Sequence, residues 1–261
     1  MKKRIIQSFW TAPMRTTRMQ DNVRMATLSL EYAHSCGYEV GMYTDSDGAE
    51  LLSDLPYDTF STSLDDMPPV RHPGSMFAAG KYFALRQEPT GVVHTDFDVF
   101  LRKPCLDSFF AGEGDAVCQC REYIWREKVY RDCADLLREE FCPKAINPVR
   151  PHYSYNVGVI GFNSPRLKDL FVSTYMEAFD YYKDRNPQTL LDFFLEQAFL
   201  YQLRNKYDIR PLIKGTCFEN DWSMMKEEAN EIGYCHLQSS YKYLPSIQNR
   251  IQELLEVSFG Y

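Results

Sequence analysis

Short apolar runs alternate with longer stretches in which apolar residues recur at helical spacing. Residues 4–10 form a run typical of a buried strand, and residues 40–44 form a second one. Between them, residues 21–35 repeat apolar side chains along one face of a helix that Gly37 is placed to end. Strands that alternate with helices are the signature of a parallel sheet with helices packed on it. The pattern therefore predicts an α/β fold.

The same alternation continues to the end of the chain. Helices are predicted over 75–86, over 125–141, from Ser164-Pro165 onward, from Asn186-Pro187 through 203, and over 246–257. Further strands are predicted over 92–95, 155–162 and 232–237. No internal repeat, low-complexity tract or glycine- and serine-rich linker divides the sequence, so we expect one domain over residues 1–261.

Composition and charge exclude several classes of function. The chain has 261 residues, 44% of them hydrophobic, and a formal net charge of −7. An acidic chain argues against nucleic-acid binding, because that affinity comes from lysine and arginine on phosphates. No apolar run approaches the roughly 20 residues of a membrane-spanning helix, which leaves at most peripheral membrane contact. The apolar stretch after Met1-Lys2-Lys3-Arg4 is too short for a signal peptide, so we expect a cytoplasmic protein.

The cysteines agree with a reducing compartment. There are eight, none in Cys-x-x-Cys spacing, and such cysteines persist as thiols in the cytoplasm. Cys118 and Cys120 on one strand, together with Cys133 and Cys142, are an alternative metal site. Structural zinc sites usually show tighter paired spacing, which disfavours that alternative.

Two neighbouring carboxylates are the sharpest chemical feature. Asp96 and Asp98 follow the apolar strand 92–95, at the kind of strand end where α/β sheets place their ligands. Side chains at i and i+2 of an extended chain point to the same side, so both carboxylates can converge on one cation. Mg²⁺ and Mn²⁺ take oxygen ligands and often bind through carboxylates and substrate phosphates. The pair predicts a divalent-cation site for a diphosphate.

The segment 91–101 resembles the Asp-x-Asp motif of nucleotide-sugar glycosyltransferases with the GT-A fold. Other stretches match in order along nearly the whole chain. Ile5-Ile6-Gln7-Ser8-Phe9-Trp10 is similar to the first strand of the mannosyltransferase-like group. Three stretches resemble motifs of the glycogenin-like group: Tyr155-Asn156-Val157-Gly158, Glu196-Gln197, and His236-Leu-Gln-Ser-Ser-Tyr-Lys242. The resemblance implies a GT-A-type α/β domain, with a mixed, mostly parallel central sheet and helices on both faces.

The resemblance also implies an activity and its residues. The chain is expected to transfer a sugar from a nucleotide-diphosphate donor to a saccharide or glycolipid hydroxyl, in polysaccharide biosynthesis. The resemblance leans toward enzymes that retain the anomeric configuration, and inversion with Glu196 as the base is the alternative. Mn²⁺ or Mg²⁺ is the expected cofactor, held by Asp96, Asp98 and His236. The expected donor-binding residues are Ser8, Trp10, Asp45, Lys81, Asp96 and Lys242. Glu196 and Gln197 are expected to act in catalysis, and Tyr155 and Asn156 to bind the acceptor.

Several of these residues have structural alternatives. His236 and Trp10 are also compatible with core positions, Asp45 with a turn cap, and Lys81 and Lys242 with a solvated surface. Asn156 in a strand needs hydrogen bonds, which neighbouring groups or a sugar hydroxyl would supply. Glu196 lies among apolar residues of its helix, where a carboxylate is costly unless it faces a cleft or has a partner.

Departures from the family pattern keep other functions open. Ser239 replaces a family glycine, and Tyr243-Leu244 replaces the usual Pro-Trp, which puts the phosphate contacts in doubt. A non-catalytic nucleotide- or carbohydrate-binding protein is therefore one alternative. A haloacid-dehalogenase-type phosphatase with Asp96 as nucleophile is another, although that family carries its motif near the N-terminus. Phosphoenzyme trapping at Asp96 would decide for it.

Overall fold

The central sheet of the computed structural model, which describes residues 3–217 and 223–260, has seven strands in the order β3-β2-β1-β4-β7-β6-β8. Its strands are β1 (Arg4–Phe9), β2 (Glu39–Thr44), β3 (Thr59–Ser61), β4 (Val93–Thr95), β6 (Ala116–Tyr123), β7 (Tyr153–Phe162) and β8 (Ile209–Cys217). β7 runs antiparallel to both of its neighbours, and every other pair is parallel. The expected mixed, mostly parallel sheet is confirmed.

Helices cover both faces of this sheet, as expected. Ile5 and Ile6 of β1 point to opposite faces, as successive strand residues do, and each is buried in a different apolar cluster. The helices are α1 (Met19–Ser35), α2 (Ser46–Leu52), α3 (Ala79–Gln87), α4 (Asp107–Phe110), α5 (Lys128–Glu139), α6 (Pro165–Tyr182), α7 (Phe199–Leu203), α8 (Ser223–Ile232) and α9 (Pro245–Phe259). A π-helical turn, Phe193–Ala198, leads directly into α7.

A small second sheet completes the site described below. β5 (Val99–Leu101) pairs antiparallel with β9 (Tyr234–His236), and Val99 lies opposite His236. This register sets the histidine beside the residue that precedes Val99, which is Asp98. Residues 138 positions apart in the chain therefore become neighbours through a pairing of only three residues on each strand.

Most of the predicted elements are confirmed within a few residues of their bounds. Gly37, with φ +77°, follows α1, and Ser164 caps α6 by accepting a hydrogen bond from the Leu167 N–H. The helix start predicted at Asn186-Pro187 is wrong, because residues 185–190 form bends and irregular backbone and the helical path begins only near Asp192. Among the described residues, no helix is both long and apolar enough to cross a membrane.

Candidate functional site

Asp96 and Asp98 lie in the tight connection between β4 and β5. The Asp96 N–H donates to the carbonyl of Gly158 on β7 at 2.8 Å, and the Val99 N–H donates back to the Asp96 carbonyl at 3.0 Å. One ligand atom each from Asp96, Asp98 and His236 lies within 4.8 Å of the others. The structure thus brings together the three residues that were expected to hold a metal ion.

A glycine makes room for the histidine of this cluster. A Cβ atom on Gly158 would lie 2.6 Å from His236 Cε1 and 2.8 Å from its Nδ1. These separations are far below van der Waals contact, so a larger residue at this position would displace the imidazole. The glycine of the Tyr155-Asn156-Val157-Gly158 stretch therefore has a packing role toward the metal cluster.

Asp98 is buried and balanced by two basic side chains. Lys242 Nζ lies 2.5 Å from Asp98 Oδ2, and His236 Nε2 lies 3.4 Å from Oδ1. Burial by itself would raise the pKa of Asp98, but Lys242 and His236 outweigh it and hold that pKa well below its usual range. Asp98 is therefore ionised at neutral pH, as a metal ligand must be.

Lys81 contacts the same cluster through Asp96. Its Nζ is buried and lies 3.0 Å from Asp96 Oδ1 and 3.3 Å from Glu196 Oε2, and it donates to the Val157 carbonyl at 3.1 Å. Burial lowers the pKa of Lys81, but Asp96 and Glu196 outweigh this effect and leave the pKa above its usual value. The ammonium next to Asp96 is therefore charged at neutral pH.

A cavity of about 490 Å³ opens beside both aspartates. Ser8, Trp10, Lys81 and Lys242, all expected to bind the donor, lie on its wall. Ser8 Oγ also lies 2.9 Å from His94 Nε2, and this hydrogen bond orients the hydroxyl.

Two cavity arginines were not singled out from the sequence. Arg15 and Arg18 follow β1 in a segment that reads only as a polar loop. The Arg18 guanidinium lies 4.1 Å from the centre of the Tyr243 ring, which also lines the cavity. Within the described parts of the chain, neither arginine is paired with a carboxylate. Two arginines and two lysines thus surround two aspartates, in a chain whose net charge is negative.

Glu196 and Asp192 are a pair of buried acids behind Lys81. Burial raises the pKa of Glu196 to about 7, with Lys81 opposing the shift and Asp96 adding to it. Burial, and then Glu196, raise the pKa of Asp192 to about 8. Asp192 accepts hydrogen bonds from the Ala78 N–H at 2.7 Å and the Tyr175 hydroxyl at 2.6 Å. Glu196 lies in the π-helical turn, a local geometry often found at functional sites.

A Glu196→Gln variant should have a flatter dependence of stability on pH. A buried acid with a raised pKa binds more protons when folded, so it loses stability as pH rises from its unfolded pKa to its folded pKa. For Glu196 that window runs from about 4.5 to about 7, and the expected loss is about 3 kcal/mol. Urea unfolding in a chelating buffer at pH 5 and pH 8 measures the change in the free energy of unfolding of wild type and variant. Equal pH differences in wild type and variant would contradict the assignment.

The remaining predicted residues do not line the cavity. Asp45 caps α2 and accepts hydrogen bonds from Thr11, and the Tyr155 ring packs edge-on against Tyr201 of α7. Asn156 donates to Glu122 at 2.8 Å, and the Tyr130 hydroxyl donates to Gln197 at 2.6 Å. Their expected roles in binding and catalysis stay predictions.

The cluster is chemically suited to a divalent cation. Two carboxylates and one imidazole form a donor set of oxygen and nitrogen atoms that Mn²⁺ accepts readily. Mg²⁺ prefers oxygen ligands, so the two carboxylates suit it and the imidazole does not. Nothing comparable forms around Cys118, Cys120, Cys133 and Cys142: among the residues that the structure describes, this is the single candidate cluster. The Ser239 side chain lies outside the described part of the structure.

Comparisons with known proteins give a family and a set of similar structures. The model of a protein family of unknown function, DUF6734, matches residues 1–260. A search of the curated proteins finds no match.

Three solved structures illustrate the likeness. The galactosyltransferase LgtC, in complex with donor and acceptor sugar analogs, is 12% identical, with 97% of this chain and 95% of that chain covered and a TM-score of 0.49. The inositol-1-phosphate CTP transferase from T. maritima is 12% identical (98% and 97% covered, TM-score 0.48), and the apo form of mouse xyloside xylosyltransferase 1 is 13% identical (75% and 80% covered, TM-score 0.40). All three TM-scores fall below 0.5, so this likeness does not assign an activity to the chain.

Proposed function

We propose that this chain, which belongs to the DUF6734 family of unknown function, is a metal-dependent glycosyltransferase. It would move a sugar from a nucleotide-diphosphate donor to a hydroxyl of a saccharide or glycolipid acceptor. The observation that carries the proposal is the Asp96, Asp98 and His236 cluster, whose two aspartates lie on the wall of a cavity of about 490 Å³. Pockets of this volume hold ligands of nucleotide size.

The charges of the cavity fit a diphosphate. Lys242 is tied to Asp98 and Lys81 to Asp96, which leaves the guanidinium groups of Arg15 and Arg18 available to the ligand. Guanidinium groups bind phosphate oxygens through two parallel hydrogen bonds, and neither arginine gives these donors to a carboxylate of the residues that the structure describes. A cavity with this excess of positive charge attracts an anion despite the net negative charge of the chain.

The reaction needs little covalent chemistry from the protein. Asp96, Asp98 and His236 would hold a divalent ion, which when bound supplies Lewis-acid stabilisation of negative charge on phosphate oxygens. Lys242, at the cavity wall, would stabilise the diphosphate as it departs with its pair of electrons. Ser8 and Trp10 would orient the nucleoside, Trp10 by packing an aromatic face against the base.

The assignments beyond the donor are part of the same proposal. Glu196 and Gln197 would act close to the transferred sugar, Asn156 and Tyr155 on the acceptor side, and Asp45 near the nucleoside. The family resemblance favours retention of the anomeric configuration. We also propose one domain over residues 1–261, a cytoplasmic location, at most peripheral membrane contact and a role in polysaccharide biosynthesis.

The test is incubation of the purified chain with a panel of nucleotide-diphosphate sugars and Mn²⁺. Release of the nucleoside diphosphate, with or without an added acceptor, is the expected result, and it should stop when a chelator is added. Product anomers resolved by NMR then test retention. Binding of a nucleoside diphosphate without any turnover across the panel would instead favour the non-catalytic alternative.

An Arg18→Ala variant should bind nucleoside diphosphate about 10-fold to 100-fold more weakly, because a charge-assisted phosphate contact contributes about 1.5–3 kcal/mol. Arg18→Lys should recover only part of the loss, since an ammonium lacks the two-pronged geometry. Isothermal titration calorimetry with several nucleoside diphosphates measures the dissociation constant of each variant. Arg126→Ala, at an exposed arginine that does not line the cavity, is the matched control. Equal affinities for the Arg18 and Arg126 variants would exclude a phosphate role.

A further inference from the structure

Gln119 lies directly behind the metal-cluster histidine. It is fully buried in β6, at the point where the register of β6 against β7 shifts. Its Oε1 accepts a hydrogen bond from the Tyr234 hydroxyl at 2.8 Å and lies 2.7 Å from His236 Nδ1. One amide oxygen therefore contacts two side chains of the same strand, β9. No motif in the sequence marks Gln119.

The contact determines which ring nitrogen of His236 carries a proton. An amide oxygen only accepts, so His236 Nδ1 must be the protonated nitrogen. In the neutral ring the lone pair of Nε2 then faces Asp98 Oδ1 at 3.4 Å, whereas in the imidazolium Nε2 carries a proton toward that oxygen. Two acceptors at that separation repel each other in the neutral ring, and a cation between them removes the repulsion. The arrangement is the one that a metal-binding imidazole requires.

The rest of the surroundings supports the same orientation. Gln238 Nε2 is also near His236 Nδ1, but at 3.4 Å, which is long for a hydrogen bond. A Cβ atom on Gly158 would lie 2.8 Å from His236 Nδ1 and 2.9 Å from Gln119 Oε1, so the contact between ring and amide depends on a glycine there. Gln119 Nε2, by contrast, is buried without a hydrogen-bond partner among the described residues. An unpartnered buried nitrogen costs stability, so the fold alone gains little from this amide.

We propose that Gln119 is a positioning residue for the metal site: it holds His236 in the Nδ1-protonated tautomer and directs Nε2 toward Asp98. This inference rests on the proposed metal-dependent function. It concerns an outer contact rather than a ligand, and such contacts commonly change metal affinity 10-fold to 100-fold when removed.

The test compares two substitutions of similar size, Gln119→Met and Gln119→Glu, by Mn²⁺ titration without nucleotide. Met removes the acceptor, so Mn²⁺ affinity should fall about 10-fold to 100-fold. Glu keeps an acceptor toward His236 Nδ1 and should retain most of the affinity. Chemical unfolding of the metal-free proteins should show the opposite order, because Glu buries a charge and Met does not. A merely structural role would move stability and affinity in the same direction.

Tyr234→Phe is the matched control. It removes the other hydrogen bond to Gln119 Oε1 and leaves the contact with His236, so its loss of Mn²⁺ affinity should be smaller than that of Gln119→Met. Gly158→Ala should also weaken Mn²⁺ binding, because its Cβ atom would lie 2.6 Å from His236 Cε1 and 2.9 Å from Gln119 Oε1 and would disturb the contact between them.

Nitrogen NMR of His236 in the metal-free wild type at pH 8 gives an answer that needs no variant. The Nδ1-protonated tautomer is expected, and an Nε2-protonated ring would overturn the inference. Equal Mn²⁺ affinity of wild type and Gln119→Met would overturn it while leaving the proposed function intact. Failure of the wild type to bind Mn²⁺ would overturn both the inference and the metal-dependent part of the function.

Discussion

An Asp98→Asn variant should lose at least about 100-fold of its donor-cleavage rate, because metal stabilisation of a departing phosphate amounts to several kcal/mol. The substitution keeps the shape of the side chain and removes the negative charge that Lys242 and His236 contact. Nucleoside-diphosphate release in the presence of Mn²⁺ measures the rate. The thermal melting temperature with and without Mn²⁺ gives a second readout, since a ligand that binds only the folded state raises it.

The stability of the metal-free Asp98→Asn variant should also fall. Removal of Asp98 leaves the Lys242 ammonium, whose side chain is 18% exposed, without its anionic partner. Breaking a fully buried pair costs about 3–5 kcal/mol, and the partial exposure of Lys242 reduces the expected loss to about 2 kcal/mol. Asp54→Asn, at an exposed aspartate, is the control. If Mn²⁺ raised the melting temperature of Asp98→Asn as much as that of wild type, the metal assignment would fail.

A Lys81→Met variant should be destabilised by about 3–5 kcal/mol at pH 8, because it leaves two carboxylates without their buried cation. The loss should be smaller at pH 5. Lys81 lowers the pKa of Glu196, so without it that pKa rises above about 7 and Glu196 remains protonated over a wider range. A protonated Glu196 has no charge left to neutralise, which removes part of the penalty at low pH.

The Lys81 effect is separated from general damage by a double-mutant cycle with Glu196→Gln. If the two side chains interact, the double variant should be more stable at pH 8 than the sum of the single losses predicts. Lys144→Met, at an exposed lysine, controls for removal of a charge. Strict additivity of the two losses would refute the coupling between Lys81 and Glu196. Donor binding measured on the same proteins then shows whether Lys81 also acts on the ligand.

Local sequence signals were sufficient where function depends on residues close together in the chain. Asp96 and Asp98 are two residues apart after an apolar strand, so their side chains share a face in any fold that keeps the strand. The helix α1 and its end at Gly37 follow from the spacing of apolar residues and from one backbone position with positive φ. His236 was recognised only through the family resemblance.

The roles of other residues depend on tertiary contacts and cannot be predicted from the neighbouring sequence. The Asn186-Pro187 pair has the form of a helix start, yet the helical path begins later, where Asp192 is held by Tyr175 and by the N–H of Ala78. Gln119 is a polar residue between two cysteines, a pattern without chemical meaning until β9 is placed against β5. Arg15 and Arg18 read as loop residues until the cavity forms around them.

By itself, the order of apolar and polar residues determined the alternation of strands and helices, the two neighbouring carboxylates and the class of cation they suit. Only the tertiary structure decided which distant groups complete the site. Gln119, Lys81, Glu196 and His236 reach Asp96 and Asp98 through pairings between strands and packing across the sheet. The physical reason is range: backbone geometry and side-chain periodicity act over a few residues, whereas a charge or a hydrogen bond acts between whatever the fold brings within a few ångströms.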